Sequence, residues 1–375
     1  DAVRTAFGRM GGTLKDIYAS KLGSIGIDGL LSKTKIMEKA HVDSVFLGSA
    51  TGCSQSGNPA RHAMLGSALG YETSASYVEM QCGSAIDSIN HAAWKILANQ
   101  ADIIIAGGME SYSQMAIKFS MATTPYKLIP PMPIPPQLSP VAEECIGMGI
   151  TAENLQEMYD IPREASDAFA YNSQMRAKAA MEAGYFKDEI VPVTIPATRK
   201  TPAVVFDVDE HPRPQSTLEG MAKLQPVFKA GGTVTAGNSS GQNDGAAFVL
   251  MMSADKAREL GYEPMAKWIA GADYGCDPKI MGIGPAYAMP QAIKRAGLTL
   301  ADMDVMECNE AFAVQNLAVI KEIEKQTHAK IDMEKWNPMG GAIAFGHPNG
   351  ASGARIGMFA MRHLIRNKGR YGVFG

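Results

Sequence analysis

"GSAIDSINHAAWKILANQADIIIAGG", residues 83–108, decides how this chain is read. Ile86, Ile89, Ala93, Ile96 and Leu97 recur at helical spacing, and the apolar run that follows, closed by glycines, has the pattern of a buried strand. A similar unit returns at the far end of the chain. Laid over "ASGARIGMFAMRHLIRNKGRYGVFG", residues 351–375, it matches Ser84 with Ser352, Leu97 with Ile365, Asn99 with Asn367 and Gly107 with Gly375. Each copy runs from a small-residue turn through an amphipathic helix to a strand. An internal duplication is the economical explanation, with chance likeness between two βα units as its alternative.

The 375 residues suffice for two fused cores, and a composition 46% apolar and rich in Gly suits helices lying close on sheets. The formal charge of −3, with Lys and Arg scattered, leaves no basic stripe for a nucleic acid. The apolar runs, such as "IIIA" at 103–106, are too short to span a membrane. The opening "DAVRTAF" has neither leader pattern nor initiating Met, and reads as a trimmed start of a cytoplasmic fold. Five cysteines, at 53, 82, 145, 276 and 308, form no CxxC pair, which argues against a disulfide framework or a zinc cage and leaves no metal expected.

Between the two copies the composition changes. Prolines crowd "TTPYKLIPPMPIPPQLSP", residues 123–140, and exclude regular helix or central strand. A helix is predicted over "TAENLQEMYDI", 151–161, capped by Thr151, and a second from Pro162 to Gly184. Residues 196–232 are polar and punctuated by Pro and Gly. The reading is therefore an N-terminal half at 1–114, an inserted loop or lid domain at 115–237, and a C-terminal half at 238–375.

Cys82 stands where a buried strand is expected to end and a helix to begin. Free N–H groups and the helix dipole there favour a thiolate and can hold an oxyanion; a small buried packing residue is the other reading. His347, in the glycine-dense "NPMGGAIAFGHPNGASGARI" (337–356), precedes the mirrored helix and could meet a thiol from the other half. In "DVMECNEAFAVQN" (304–316), Asn309 and Glu310 follow a strand, where α/β sheets place ligands. Cys308 ranks below Cys82, since it lies inside the strand. The loop of "GTVTAGNSSGQNDGAAFVL" (232–250) either lines a channel or is a tight connection.

Taken in order, "VRTAFGRMGG", "QCGSA", "ADIIIAGGMES", "GMGITAEN", "TAGNSSGQNDGAA", "ECNEAFA" and "GGAIAFGHPNGASGAR" resemble the thiolase family over essentially the whole chain. The resemblance implies an α/β fold of two βαβαβαββ halves in a five-layered α-β-α-β-α core, a loop domain, and a homodimer or homotetramer. It implies acyl transfer between coenzyme A thioesters, with Claisen condensation of acetyl-CoA or thiolytic cleavage of 3-ketoacyl-CoA, and no permanently bound cofactor. Cys82 would be the acylated nucleophile, His347 its activator, and Asn309 the holder of an oxyanion-hole water. Arg213, Phe228 and Ser240 would contact coenzyme A, with Met148 and Phe312 near its pantetheine arm.

The sequence departs from the family in three places. The family's second cysteine, in a Cys–x–Gly turn, is expected just past "YGVFG", where the sequence given ends. Gly147 replaces a His common among short-chain members, and "EKQTHAKIDMEK" (324–335) looks like a surface insertion. Two other readings share the fold: a non-catalytic acyl-CoA or lipid-binding protein, and a ketoacyl-synthase-type condensing enzyme, against which "NEAF" and "GHPNG" speak.

Overall fold

The structure, a computed structural model, describes residues 1–120, 130, 132–134, 137, 139–197, 199 and 201–375. Most of the proline-rich run at 123–140 therefore lies outside the described residues. In chain order the first half comprises β1 (Ala2–Thr5), β2 (Gly8–Arg9), α1 (Ala19–Thr34), β3 (Ser44–Gly48), α2 (Pro59–Leu65), β4 (Ser74–Val78), α3 (Ser84–Leu97) and β5 (Ile103–Ser111). The inserted region carries α4 (Met148–Tyr159), α5 (Arg163–Glu182), β6 (Ile190–Val191), β7 (Val193–Ile195), β8 (Val204–Phe206) and α6 (Leu218–Ala222). Next come β9 (Asn243–Met252), α7 (Ala254–Leu260), α8 (Pro285–Arg295), β10 (Val305–Glu307), α9 (Ala313–Thr327), α10 (Ala342–Phe345), α11 (Asn349–Asn367) and β11 (Gly372–Phe374).

One mixed sheet runs β4-β3-β5-β9-β1-β6, with β2 added beside β9. Strands β4, β3 and β5 are parallel, and β9 lies antiparallel to β5 from Ile103↔Met252 to Ser111↔Asp244. Thus β9 completes the sheet of the first half, so the boundary expected at 238 falls too early. An apolar run reveals a strand but not the sheet that takes it. The inserted region likewise lends β6 to this sheet, beside β1.

Five layers follow from where apolar side chains go. Helices α1 and α2 cover one face of the large sheet, through residues such as Leu22, Ile27 and Met64 against Val45, Ile105 and Phe248. On its other face lie α3 and α11, with Ala85, Ile89, Ala351 and Met358 against Ile104, Ala106 and Val249. Beyond α11 come the parallel strands β10 and β11, and α8 and α9 close the far side through Met289, Ile293, Val319 and Ile323. The duplicated units thus become the paired central helices α3 and α11, each leading into a strand. The second sheet has two paired strands plus one bridge, Met306↔Trp336, among the described residues, while 266–275 form no ladder.

Smaller expectations also meet correction. Helix α4 begins at Met148, so Thr151 lies inside it and its hydroxyl donates to the Met148 carbonyl instead of capping. Strand β4 is an edge strand in which only Val78 is buried, not a buried strand. The helix from Pro162 does form, over Arg163–Glu182, and Gly184 follows it at φ +72.

The central layer is held by backbone contacts that admit no side chain. A Cβ on Gly108 of β5 would stand 1.8 Å from the carbonyl oxygen of Gly350 at the start of α11. A Cβ on Gly353 would stand 2.7 Å from the backbone nitrogen of Ile86 in α3. Gly108→Ala must therefore push the two halves apart. It is expected to destabilise the protein by about 1–3 kcal/mol, as overpacking does, read from the shift of the denaturant midpoint at constant m.

Candidate active site

Cys82 lies on a single 3₁₀ turn, Gln81–Gly83, between β4 and α3. Gln81 takes φ +48, a left-handed conformation that costs a non-glycine residue on the order of 1 kcal/mol. Ser84 pins this turn: its hydroxyl donates to the Gln81 carbonyl at 2.6 Å and accepts from the Met80 N–H at 2.9 Å. The reactive sulfur is thereby raised on a short rigid elbow rather than a flexible loop.

His347 arrives from the second half, one residue past Gly346. Gly346 has φ +91, and a Cβ on it would meet the Asn243 side chain at 2.3 Å. The His347 N–H donates to the Gly241 carbonyl at 3.1 Å and to Oδ1 of Asn243 at 3.0 Å. The "SSGQN" loop therefore braces the histidine as well as lining the cleft.

The two residues meet. Nε2 of His347 is 3.0 Å from Sγ of Cys82 and 3.2 Å from Nδ2 of Asn309. On the other side of the ring, Nδ1 is 2.6 Å from Oγ of Ser352, and that hydroxyl donates to the Pro348 carbonyl at 3.2 Å. With its hydrogen given away, Oγ accepts from Nδ1–H, which leaves the Nε2 lone pair facing the thiol. The network thus selects the tautomer of a general base.

Burial decides the charge state. It pushes the Cys82 thiol up to about 12, assisted by the negative charge of Glu110. It also pulls His347 down to about 3, assisted by the cation of Arg355. Burial thus opposes the thiolate that the helix start is expected to favour. Both shifts favour the neutral forms, a thiol facing an imidazole nitrogen 3.0 Å away.

Asn309 follows β10. Its N–H donates to the Gly375 carbonyl at 2.8 Å, and its own carbonyl accepts from Nδ2 of Asn316 at 3.0 Å. Cys308 is fully buried and its thiol is pushed upward, chiefly by burial, which suits packing. Glu310, also buried, accepts from Ser173 at 2.6 Å and Asn337 at 2.9 Å, bracing the loop that leads to His347.

A cleft of about 2830 Å³ opens over these groups, and Met148, Phe228, Ser240 and Phe312 all line it. Phe228 packs edge-to-face on Phe312, centroids 6.1 Å apart, and lies against Gly149 so closely that a Cβ there would meet its ring at 2.1 Å. Arg213 is the exception among the sequence-predicted contacts. It lines a separate recess of about 230 Å³ with His211 and Thr217, its N–H donating to Oε1 of Gln174 at 2.9 Å. Sequence reasoning missed Ser352, Tyr112, Asn349 and Cys145. Tyr112, Asn349 and Cys145 line the cleft, and Asn349 lies within hydrogen-bonding reach of the Tyr112 phenol. Among the described residues no His, Cys, Asp or Glu cluster could hold a metal.

A thiol–imidazole pair with an amide beside it thus lines a long cleft. Two family profiles match the chain: "Thiolase, N-terminal domain" matches residues 1–255 and "Thiolase, C-terminal domain" matches 262–375. The chain is 43% identical over 366 residues to an acetyl-CoA acetyltransferase of Syntrophomonas wolfei, covering 95% of this chain and 89% of that one. It is 42% identical over 390 residues to a beta-ketoadipyl-CoA thiolase of Acinetobacter baylyi, covering 100% and 94%. Human mitochondrial 3-ketoacyl-CoA thiolase in complex with CoA superposes with a TM-score of 0.88 at 40% identity, over 100% of this chain and 92% of that one. The chain belongs to the thiolase family and is an acyltransferase.

Ser352→Ala removes the acceptor that fixes the imidazole tautomer. It should lower kcat on the order of 10²-fold with little change in KM, while Ser352→Thr, which keeps the hydroxyl, should restore most of the rate in steady-state assays.

Proposed function

We propose that Cys82 is the nucleophile that accepts an acyl group from a coenzyme A thioester, and that His347 takes its proton. The observation that carries this is the 3.0 Å contact between a thiol and an imidazole contributed by different halves of the chain. As the sulfur attacks the thioester carbonyl, the proton moves to Nε2, the tetrahedral intermediate collapses, and the coenzyme A thiolate leaves with that proton. One thioester becomes another, so the acyl group stays activated for the carbon–carbon step. An acetyl-CoA enolate, its α-proton taken by the second cysteine that the family resemblance implies, then attacks the acyl-cysteine and releases the Cys82 thiolate, which that proton neutralises. Cleavage of a 3-ketoacyl-CoA is the reverse. Each direction develops charge on a thioester oxygen, where one preorganised donor contributes about 3–4 kcal/mol. Protonated His347 and Nδ2 of Asn309 are placed to supply such donors. Oδ1 of Asn309 is buried without a protein partner, a site where a water could donate.

Phe228, Phe312, Met148 and Ser240 would hold the pantetheine arm along the cleft wall. Arg213, in its recess beside Gly237, would reach only the far end of coenzyme A. No permanently held cofactor is needed for this chemistry. Strand β4 pairs on one side only, so its other edge exposes backbone donors and acceptors. A second copy covering that edge accounts for a homodimer or homotetramer, acting in the cytoplasm. No helix of the described residues is long and apolar enough to cross a membrane. The non-catalytic alternative has no observation in its favour, since the reactive groups are assembled and aligned.

The wild-type protein mixed with acetyl-CoA should carry an acetyl group on the Cys82 peptide by mass spectrometry. Cys82→Ser should lose acyl transfer by roughly 10³-fold or more with an unchanged melting temperature. An unmodified Cys82, or a fully active variant, would refute the assignment.

A further inference from the structure

One buried acid stands behind the catalytic pair and does not itself line the cleft. Glu110, near the carboxyl end of β5, is fully buried. Its Oε2 accepts from the Ala50 N–H at 2.8 Å and the Gly350 N–H at 2.9 Å. Its Oε1 accepts from the Ser49 hydroxyl at 2.8 Å and from the hydroxyl and N–H of Thr51. Burial holds the Glu110 carboxyl above the usual carboxylate range, while these bonds, from three backbone N–H groups and two hydroxyls, pull the other way and favour the carboxylate.

The donors come from both halves. Residues 49–51 follow β3 of the first half, and Ala50 and Thr51 form part of the cleft wall that includes Cys82. Gly350 is the second residue of α11, three residues after His347, and its N–H is one of the helix's unpaired leading donors. The N-cap residue of α11, Pro348, makes no side-chain cap bond. The cap comes instead from the opposite half, at the place where Gly108 and Gly350 already bring the backbones together.

Given the acyl-transfer pair described above, we propose that Glu110 is its positioning residue, a carboxylate that caps α11 across the junction and fixes the distance between His347 and Cys82. Its charge has a second consequence. The groups facing Cys82 are His347, Tyr112 and Glu110, with Arg355 behind His347. Glu110 is the anion among them, so it reinforces burial in keeping the thiol protonated at rest. The tie between the halves would thus also guard the sulfur against chemistry before substrate binds.

The test compares wild type, Glu110→Gln and Glu110→Asp by the pH dependence of Cys82 alkylation with iodoacetamide, read on the Cys82 peptide, and by kcat and KM for acetyl-CoA. Wild type should titrate above a free thiol, about pH 8.5. Glu110→Gln keeps the shape and loses the charge, so its midpoint should fall by about one pH unit or more. Glu110→Asp keeps the charge but falls short of Gly350; its midpoint should stay near wild type. Both variants should lose kcat on the order of 10–100-fold, as misplaced groups do, with KM nearly unchanged. Equal midpoint shifts in the two variants, or unchanged kcat in both, would overturn the proposal. Should Glu110→Gln not fold, a wild-type midpoint at or below that of a free thiol overturns it equally, and a higher midpoint with low kcat in Glu110→Asp supports it. Failure of wild-type Cys82 to take an acetyl group would strike the acyl-transfer reading instead, leaving the alkylation curves to judge the tie.

Discussion

The architecture depends on the close approach of two helix starts. Helices α3 and α11 cross at Ile86 and Gly353, and β5 meets the first turn of α11 at Gly108 and Gly350, with backbone against backbone. A side chain at these contacts would move the second half away from the first. A thiol–imidazole hydrogen bond tolerates only a few tenths of an ångström before it weakens. The glycines are thus a condition of the chemistry and not merely of the packing. Dispersion and burial in the central layer, where Ala85, Ala351 and Ala354 interlock, hold the crossing once the glycines permit it.

The duplication also explains how each reactive residue is oriented. Ser84 and Ser352 occupy matching places in the repeat, and each fixes the residue its own half contributes. Ser84 locks the elbow beneath Cys82, and Ser352 takes the Nδ1 proton of His347. The two matching serines thus serve two tasks, rigidity on one side and tautomer selection on the other. Around them burial favours the uncharged form of both partners, raising the thiol and lowering the imidazole.

Much of this was legible in the sequence, for physical reasons that can be named. Repeating helical spacing in 83–108 and 351–375 foretold α3 and α11, and the glycine density around His347 foretold close backbone approach and unusual dihedrals, as at Gly346 with φ +91. Position at a helix start singled out Cys82 over the buried Cys308. Other features were hidden because they depend on distant partners. Nothing local tells β9 to join the first sheet, or Glu110 to find donors at Ser49, Thr51 and Gly350. The start of α4 was misplaced since a threonine can bond inward as readily as cap. Arg213 carries the right charge for a phosphate-bearing ligand, yet only the folded chain reveals that it lies in a side recess. The upward pull of burial on the Cys82 thiol was hidden because burial cannot be read from neighbours in sequence.

The central claim is that two fused halves hold a neutral imidazole, its proton on Nδ1, against a neutral thiol. Nitrogen-15 NMR of histidine-labelled protein tests it most directly, with His347 assigned by its absence in a His347→Asn variant. Between about pH 5 and 9, across the range where free imidazole titrates, the account predicts an unchanging His347 signal of the Nδ1–H tautomer. An imidazolium signal from His347 in that range would contradict it.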